Sequence, residues 1–237
     1  MLRVISAAGL AGLMAGLCLF MVQRCTTLPL IRAAEAYENA HSVPPAQNSN
    51  SVFEQGPIRA VSTLLGDVFV AIGFGLILTG SYALSGRYGW FSGLLWGAAG
   101  FATFHLGPAV IVAPALPGME VAALSLRQTG WLVAASSTAI GLALLIAFNG
   151  AVRLVGIAIL MLPAILFRGL FPIPPATTSL PALAALEHMF VVRTLGSALF
   201  FWIVLGTLSG YIFAKADNGE RPAHGIGGRI LPCTGRV

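Results

Sequence analysis

Apolar residues in this chain neither alternate nor keep to one helical stripe. They come in long runs that are apolar on every side, separated by short polar breaks. A helix that is hydrophobic all round belongs in a protein core or in lipid. About 20 residues at 1.5 Å each cover the roughly 30 Å of a bilayer's hydrocarbon layer. Runs over 2–23, 61–84, 91–112, 129–148, 152–168 and 190–213 therefore predict an all-α, polytopic integral membrane protein of about six transmembrane helices arranged as hairpins. Ser85-Gly86-Arg87-Tyr88-Gly89-Trp90 and Asn149-Gly150 read as tight turns, the first with aromatics suited to the membrane interface. The fifth run is short, and Pro163 is expected to kink or end it. Longer polar stretches fall at 24–60 and at the proline-rich 169–188. A single transmembrane domain over 1–214 and a flexible basic tail over 215–237 complete the division.

Composition strengthens this picture. The 237 residues are 57% hydrophobic and only 9% charged, with a mean hydropathy of +0.87. Soluble domains carry about 25% charged residues. The first run exceeds the core of a signal peptide and lacks a small-residue cleavage site, so it is expected to be a retained helix. Cys18, Cys25 and Cys233 show neither a disulfide framework nor zinc-ligand spacing.

With both termini on one side, that side holds Arg3, Arg87, Arg153, Lys215, Arg221, Arg229 and Arg236 against Asp217 and Glu220. The whole net charge of +5 falls there. The long loops on the other side balance to zero. The excess places both termini in the cytoplasm, by a small margin of basic residues.

Polar groups inside the runs are the candidates for chemistry. Asp67 lies in the first third of the second helix, and His105 lies in the third, three residues before Pro108. Ionisable side chains at membrane depth are costly and by default mark function. Counting from the loop-side ends puts both about 10 Å deep, where they could ligate a divalent cation, relay a proton or simply bond two helices. Glu35, Glu38 and His41, spaced three apart, share a broad helical face that could capture a metal ion or merely be solvated. Glu187-His188, at the end of the proline-rich loop, offers two further ligands.

Glycines mark packing. Gly9, Gly12 and Gly16 provide small-residue spacing in the first helix, and Gly66, Gly73 and Gly80 recur every seven residues in the second. Gly93, Gly97, Gly100 and Gly107 lie within about 40° of one line on the third, with Phe104 filling the gap. Enzyme signatures such as G-x-S-x-G, H-E-x-x-H and the P-loop are absent, so no catalytic role is expected. The basic tail has no interleaved aromatics, which argues against nucleic acid as a partner.

GLLWGAAGF, PALPGMEVAALSLRQTGW and FFWIVLGTLSGYIF, with the hairpin arrangement, resemble the CbtA family of probable cobalt transporter subunits over roughly residues 2–213. The most specific piece is the turn from Pro114 to Met119, followed by Arg127-Gln128. The resemblance implies a bacterial inner-membrane protein that moves cobalt for cobalamin synthesis beside a small single-helix partner of the CbtB kind. It also implies a histidine near the end of the fifth helix, where this chain reads MLPAILFRGLFP and has none. No resident cofactor is expected, because the metal would be cargo. A non-transporting structural or assembly subunit, with the polar residues as interhelical glue, is the competing class.

Overall fold

The structure is a computed structural model and describes residues 1–41, 57–117, 119, 121–167 and 181–220. Helix α1 (Leu2–Thr26) is followed after Thr27 by α2 (Leu28–His41), and α3 (Pro57–Ser85) runs back. The third span has three pieces joined without a break: α4 (Trp90–Phe101), a π-helical segment (Ala102–Leu106) and a last α turn (Gly107–Ala109). Then come α5 (Leu124–Ala147), α6 (Ala151–Phe167) and α7 (Pro181–Glu220).

Among the described residues, α1, α3, α5 and Ala185–Asp217 of α7 are long and apolar enough to cross a membrane, and α6 is a shorter apolar helix. The pieces of the third span, 12, 5 and 3 residues, reach about 30 Å together. Of the six expected spans, four stand as single long helices among the described residues, the third is divided into three pieces and the fifth is short.

Helix α6 continues through Pro163 to Phe167, close to the expected end at 168. The ends differ from expectation in two places, both on α7. Helix α7 begins at Pro181, so Glu187 and His188 stand on a helix rather than in a loop, and it extends to Glu220 instead of stopping near 213. Residues 221–237, the greater part of the expected tail, lie outside the described residues.

On α1 small residues face inward and large apolar ones outward, the arrangement that favours close helix association in lipid. The buried residues of α1 are all alanine or glycine: Ala7, Ala8, Ala11, Gly12, Ala15 and Gly16. Leu10, Leu13, Met14 and Leu17 on the same helix are exposed. This stripe lets α1 lie against α3, where Gly12 sits on the backbone of Ile72, Gly16 on that of Val68, and Gly75 on that of Ala8.

Gly9, Gly66, Gly73 and Gly80 have nothing against them and are not the seam that their spacing suggested. The third-helix face behaves as read. Gly93 and Gly97 abut the α7 backbone at Gly206, Gly100 abuts the Trp202 ring, and Gly107 abuts Thr138 of α5.

Helix α7 is the central post, packing against α1, α3 and α4. It supplies Trp202 and Leu205 to a core that also contains Tyr82 and Phe213. Tyr82 donates to the Gly206 carbonyl (3.3 Å) and lies 3.1 Å from Ser209 Oγ. Gly89, at φ 111°, lets its N–H reach the Gly210 carbonyl (3.2 Å) in a backbone state that a side chain would resist. Helices α5 and α6 form a second hairpin, close at Gly141 and Gly156, whose main link to the rest is the π segment and the turn after it.

Candidate functional site

The π segment carries His105, and its geometry follows from the sequence. Gly107 donates its N–H to Ala102, five residues back, and Pro108 brings no N–H to the ladder. The widened turn aims the imidazole toward α7, where Trp202 Nε1–H donates to His105 Nδ1 at 3.0 Å. Indole nitrogen can only donate, so Nδ1 is the acceptor and the imidazole hydrogen sits on Nε2.

Rings close the site. Phe101 stacks on His105 (centroids 6.2 Å, 12°), and Phe104 stacks on Trp202 (5.8 Å, 4°). Phe74 reaches in from α3, 4.9 Å from Phe104 and 4.8 Å from Trp202. In this arrangement neither imidazole nitrogen presents a free lone pair to a metal ion.

Asp67 is elsewhere. The Phe74–Phe104 contact sets the register between α3 and the third span. Asp67, seven residues before Phe74, therefore lies about 10 Å nearer the loop side. It packs toward α1, where the Asp67 carbonyl and the Val68 backbone meet Gly16. No hydrogen bond joins Asp67 to His105, and Asp67 Oδ2 is shut off from solvent without a hydrogen-bond partner. Counting residues from the helix ends suggested equal depth. It failed because α3 extends well beyond the third span on the loop side.

One turn above Asp67 a cavity of about 440 Å³ opens between α1, α2 and α3. Phe20 and Thr63 line its inner end, and Arg24, Arg32, Glu35 and Arg59 stand around it. Glu35 is ion-paired with Arg59 at 3.0 Å. A second cavity of about 490 Å³ shares Ile31, Glu35 and Arg59 and adds Arg127, Leu116 and Met119. The Pro114–Met119 turn has its role here, since Leu116 packs with Leu30 and Ala34 of α2 and Phe190 of α7. The described mouth is thus basic, whereas the long-loop side as a whole carries no net charge in the sequence.

Glu38 and His41 stand on the last turns of α2. Glu187 and His188 stand on α7 and line neither cavity. Among the described residues no three of His, Cys, Asp and Glu gather where a metal ion could be held.

Residues 1–214 match the family described as CbtA, probable cobalt transporter subunit. The chain belongs to the CbtA family. No curated protein and no solved structure matches it. As a CbtA chain it is a membrane protein and a transporter subunit, which makes its few polar groups in the spans the natural places to look for an ion path.

Sequence reasoning missed the Trp202–His105 bond and the arginine-lined mouth. Trp202 reads as one more apolar residue of FFWIVLG, and only the glycine face of α4 hinted that α7 would come close. A third omission is a clamp at the terminal side. There Asp217 accepts hydrogen bonds from Arg3 and, at 2.6 Å, from Tyr88, tying the start of α1 and the last turns of α7 to the α3–α4 turn.

Proposed function

We propose that this chain is the membrane subunit through which a divalent cation, Co²⁺, crosses the bacterial inner membrane to supply cobalamin synthesis. It acts with a small single-helix partner and keeps both termini in the cytoplasm. The observation that carries the reading is the orphan oxygen of Asp67, a carboxylate acceptor inside an apolar span with no protein donor. Buried polar atoms are normally satisfied, so an exception calls for a visiting partner. A dication that has shed some of its water supplies one. A single anionic ligand suits passage, because a conducting site must also release its ion.

His105 lies further along and is held by Trp202. It offers a lone pair only after that bond breaks, at a cost of about 1 kcal/mol. Cobalt, nickel and zinc all accept such mixed N/O ligands, so the choice of cobalt rests on the family.

The His105–Trp202 bond also supports a second reading, a structural subunit whose polar groups fasten helices together. Uptake of radiolabelled cobalt by a deletion strain under cobalt limitation separates the two. Wild-type chain restores uptake, and Asp67→Asn lowers it about tenfold or more at equal membrane abundance. Equal uptake with and without the chain would reject transport.

A further inference from the structure

The cavity above Asp67 has the wrong charge for a cation and the right build for an amphiphilic anion. Arg3 and Arg24 bracket the apolar run of α1, 21 residues or about 31 Å apart, close to the thickness of the hydrocarbon layer. Arg24 therefore marks the loop-side interface, and the cavity beside it lies at headgroup level. Its guanidinium is held over the Phe20 ring, 5.7 Å from the centroid. Arg32, one helix away, also lines the cavity. Neither Arg24 nor Arg32 is ion-paired with any described residue, whereas Arg59 is matched by Glu35. Phe20, Leu28 and Ile31 give the cavity an apolar wall, with Gln23, Thr27 and Thr63 beside it.

We infer that this cleft is a binding site for an anionic phospholipid. Its phosphate lies between Arg24 and Arg32, and one acyl chain runs down past Phe20 and Leu28. Arginine's planar fork suits phosphate oxygens, and the charge-assisted bonds are stronger near the dry side of the interface than in water. A zwitterionic lipid brings its own cation to the same place. A free phosphate has no use for the apolar wall. The site stands on the cavity alone and does not depend on what the chain transports.

The full chain, purified in dodecylmaltoside, is titrated with dioleoylphosphatidylglycerol, with dioleoylphosphatidylcholine and with inorganic phosphate, and binding is read as a rise in melting midpoint. Phosphatidylglycerol should bind, with phosphatidylcholine at least tenfold weaker and 10 mM inorganic phosphate without effect. Each arginine is worth about fivefold near a membrane surface. Arg24→Gln with Arg32→Gln should therefore weaken phosphatidylglycerol by about 25-fold, and Arg87→Gln with Arg153→Gln, outside the cleft, should leave it unchanged.

Should the double variant fail to fold, spin-labelled lipids on wild-type chain give an independent reading. The motionally restricted fraction should be larger for phosphatidylglycerol than for phosphatidylcholine. Equal response to the two lipids, or an unaltered response in the folded Arg24/Arg32 variant, overturns the proposal. Arginine-dependent binding of inorganic phosphate as tight as that of the lipid overturns the lipid as occupant and leaves an anion site.

Discussion

Gly97→Ala and Gly73→Ala are the same chemical change on two apolar spans, and the structure assigns them opposite outcomes. At Gly97 an added Cβ would run into the Trp202 carbonyl oxygen and come within 3.3 Å of Gly206 Cα. At Gly73 it would meet nothing within 4 Å. Both neighbours of Gly97 are backbone, so no rotamer change can make room. Helices α4 and α7 would have to part by about 1 Å to restore an ordinary separation near 3.5 Å, and each atom pair at the seam would then lose a quarter to a half of its dispersion energy. Overpacking of this kind costs about 1–3 kcal/mol.

Alanine's better helix propensity returns at most about 1 kcal/mol at either site. Less is returned where the unfolded span stays helical in detergent. Gly97→Ala should therefore be destabilised by roughly 1–2 kcal/mol net, and Gly73→Ala should be neutral or slightly stabilised. For a chain of this size 1 kcal/mol moves the midpoint by about 2–4 °C. Thermal melts in dodecylmaltoside at one scan rate, followed by the monodisperse fraction that survives heating, resolve that difference. A Gly97→Ala variant as stable as wild type, or a Gly73→Ala variant that falls as far as Gly97→Ala, would refute the seam.

Trp202→Phe and His105→Ala should each lower the midpoint. Their double variant should fall short of the sum by a coupling of about 0.6–1.7 kcal/mol, the range of interhelical hydrogen bonds in membranes; strict additivity in the double-mutant cycle would mean that the bond contributes nothing. Asp217→Asn should loosen the terminal clamp by about 1 kcal/mol or less, because Arg3 is a third exposed, and faster amide exchange confined to the last turns of α7 would reveal it. Asp67→Leu should raise stability by removing an acceptor that no protein group satisfies, while cobalt uptake falls; a loss of stability would show that Asp67 has a hidden structural partner. Glu35→Gln should change the melting midpoint by less than about 2 °C, since its pair with Arg59 is partly exposed, and a larger drop would reveal a structural role for the pair.

The sequence alone determined that the chain is helical and lives in lipid. Run length and all-round apolarity decide this before any contact forms, since a bilayer leaves the backbone few other ways to satisfy its hydrogen bonds. The α4 face was also legible, because Gly93, Gly97 and Gly100 stand on one line whatever packs against them. Gly66, Gly73 and Gly80 of α3 are equally regular and pack against nothing. Spacing shows that a smooth face exists, and only the neighbour shows whether it is used.

Partnership was the tertiary structure's decision. His105 faces Trp202 rather than Asp67 because α7, distant in sequence, inserts between elements that are consecutive along the chain. The register of α3 against the third span then separates the two ionisable groups by about 10 Å. Three arginines from three helices line one cleft for the same reason. Residues far apart in sequence meet only when helices choose their neighbours. In lipid that choice is made by close backbone packing at small residues, which hydropathy does not record.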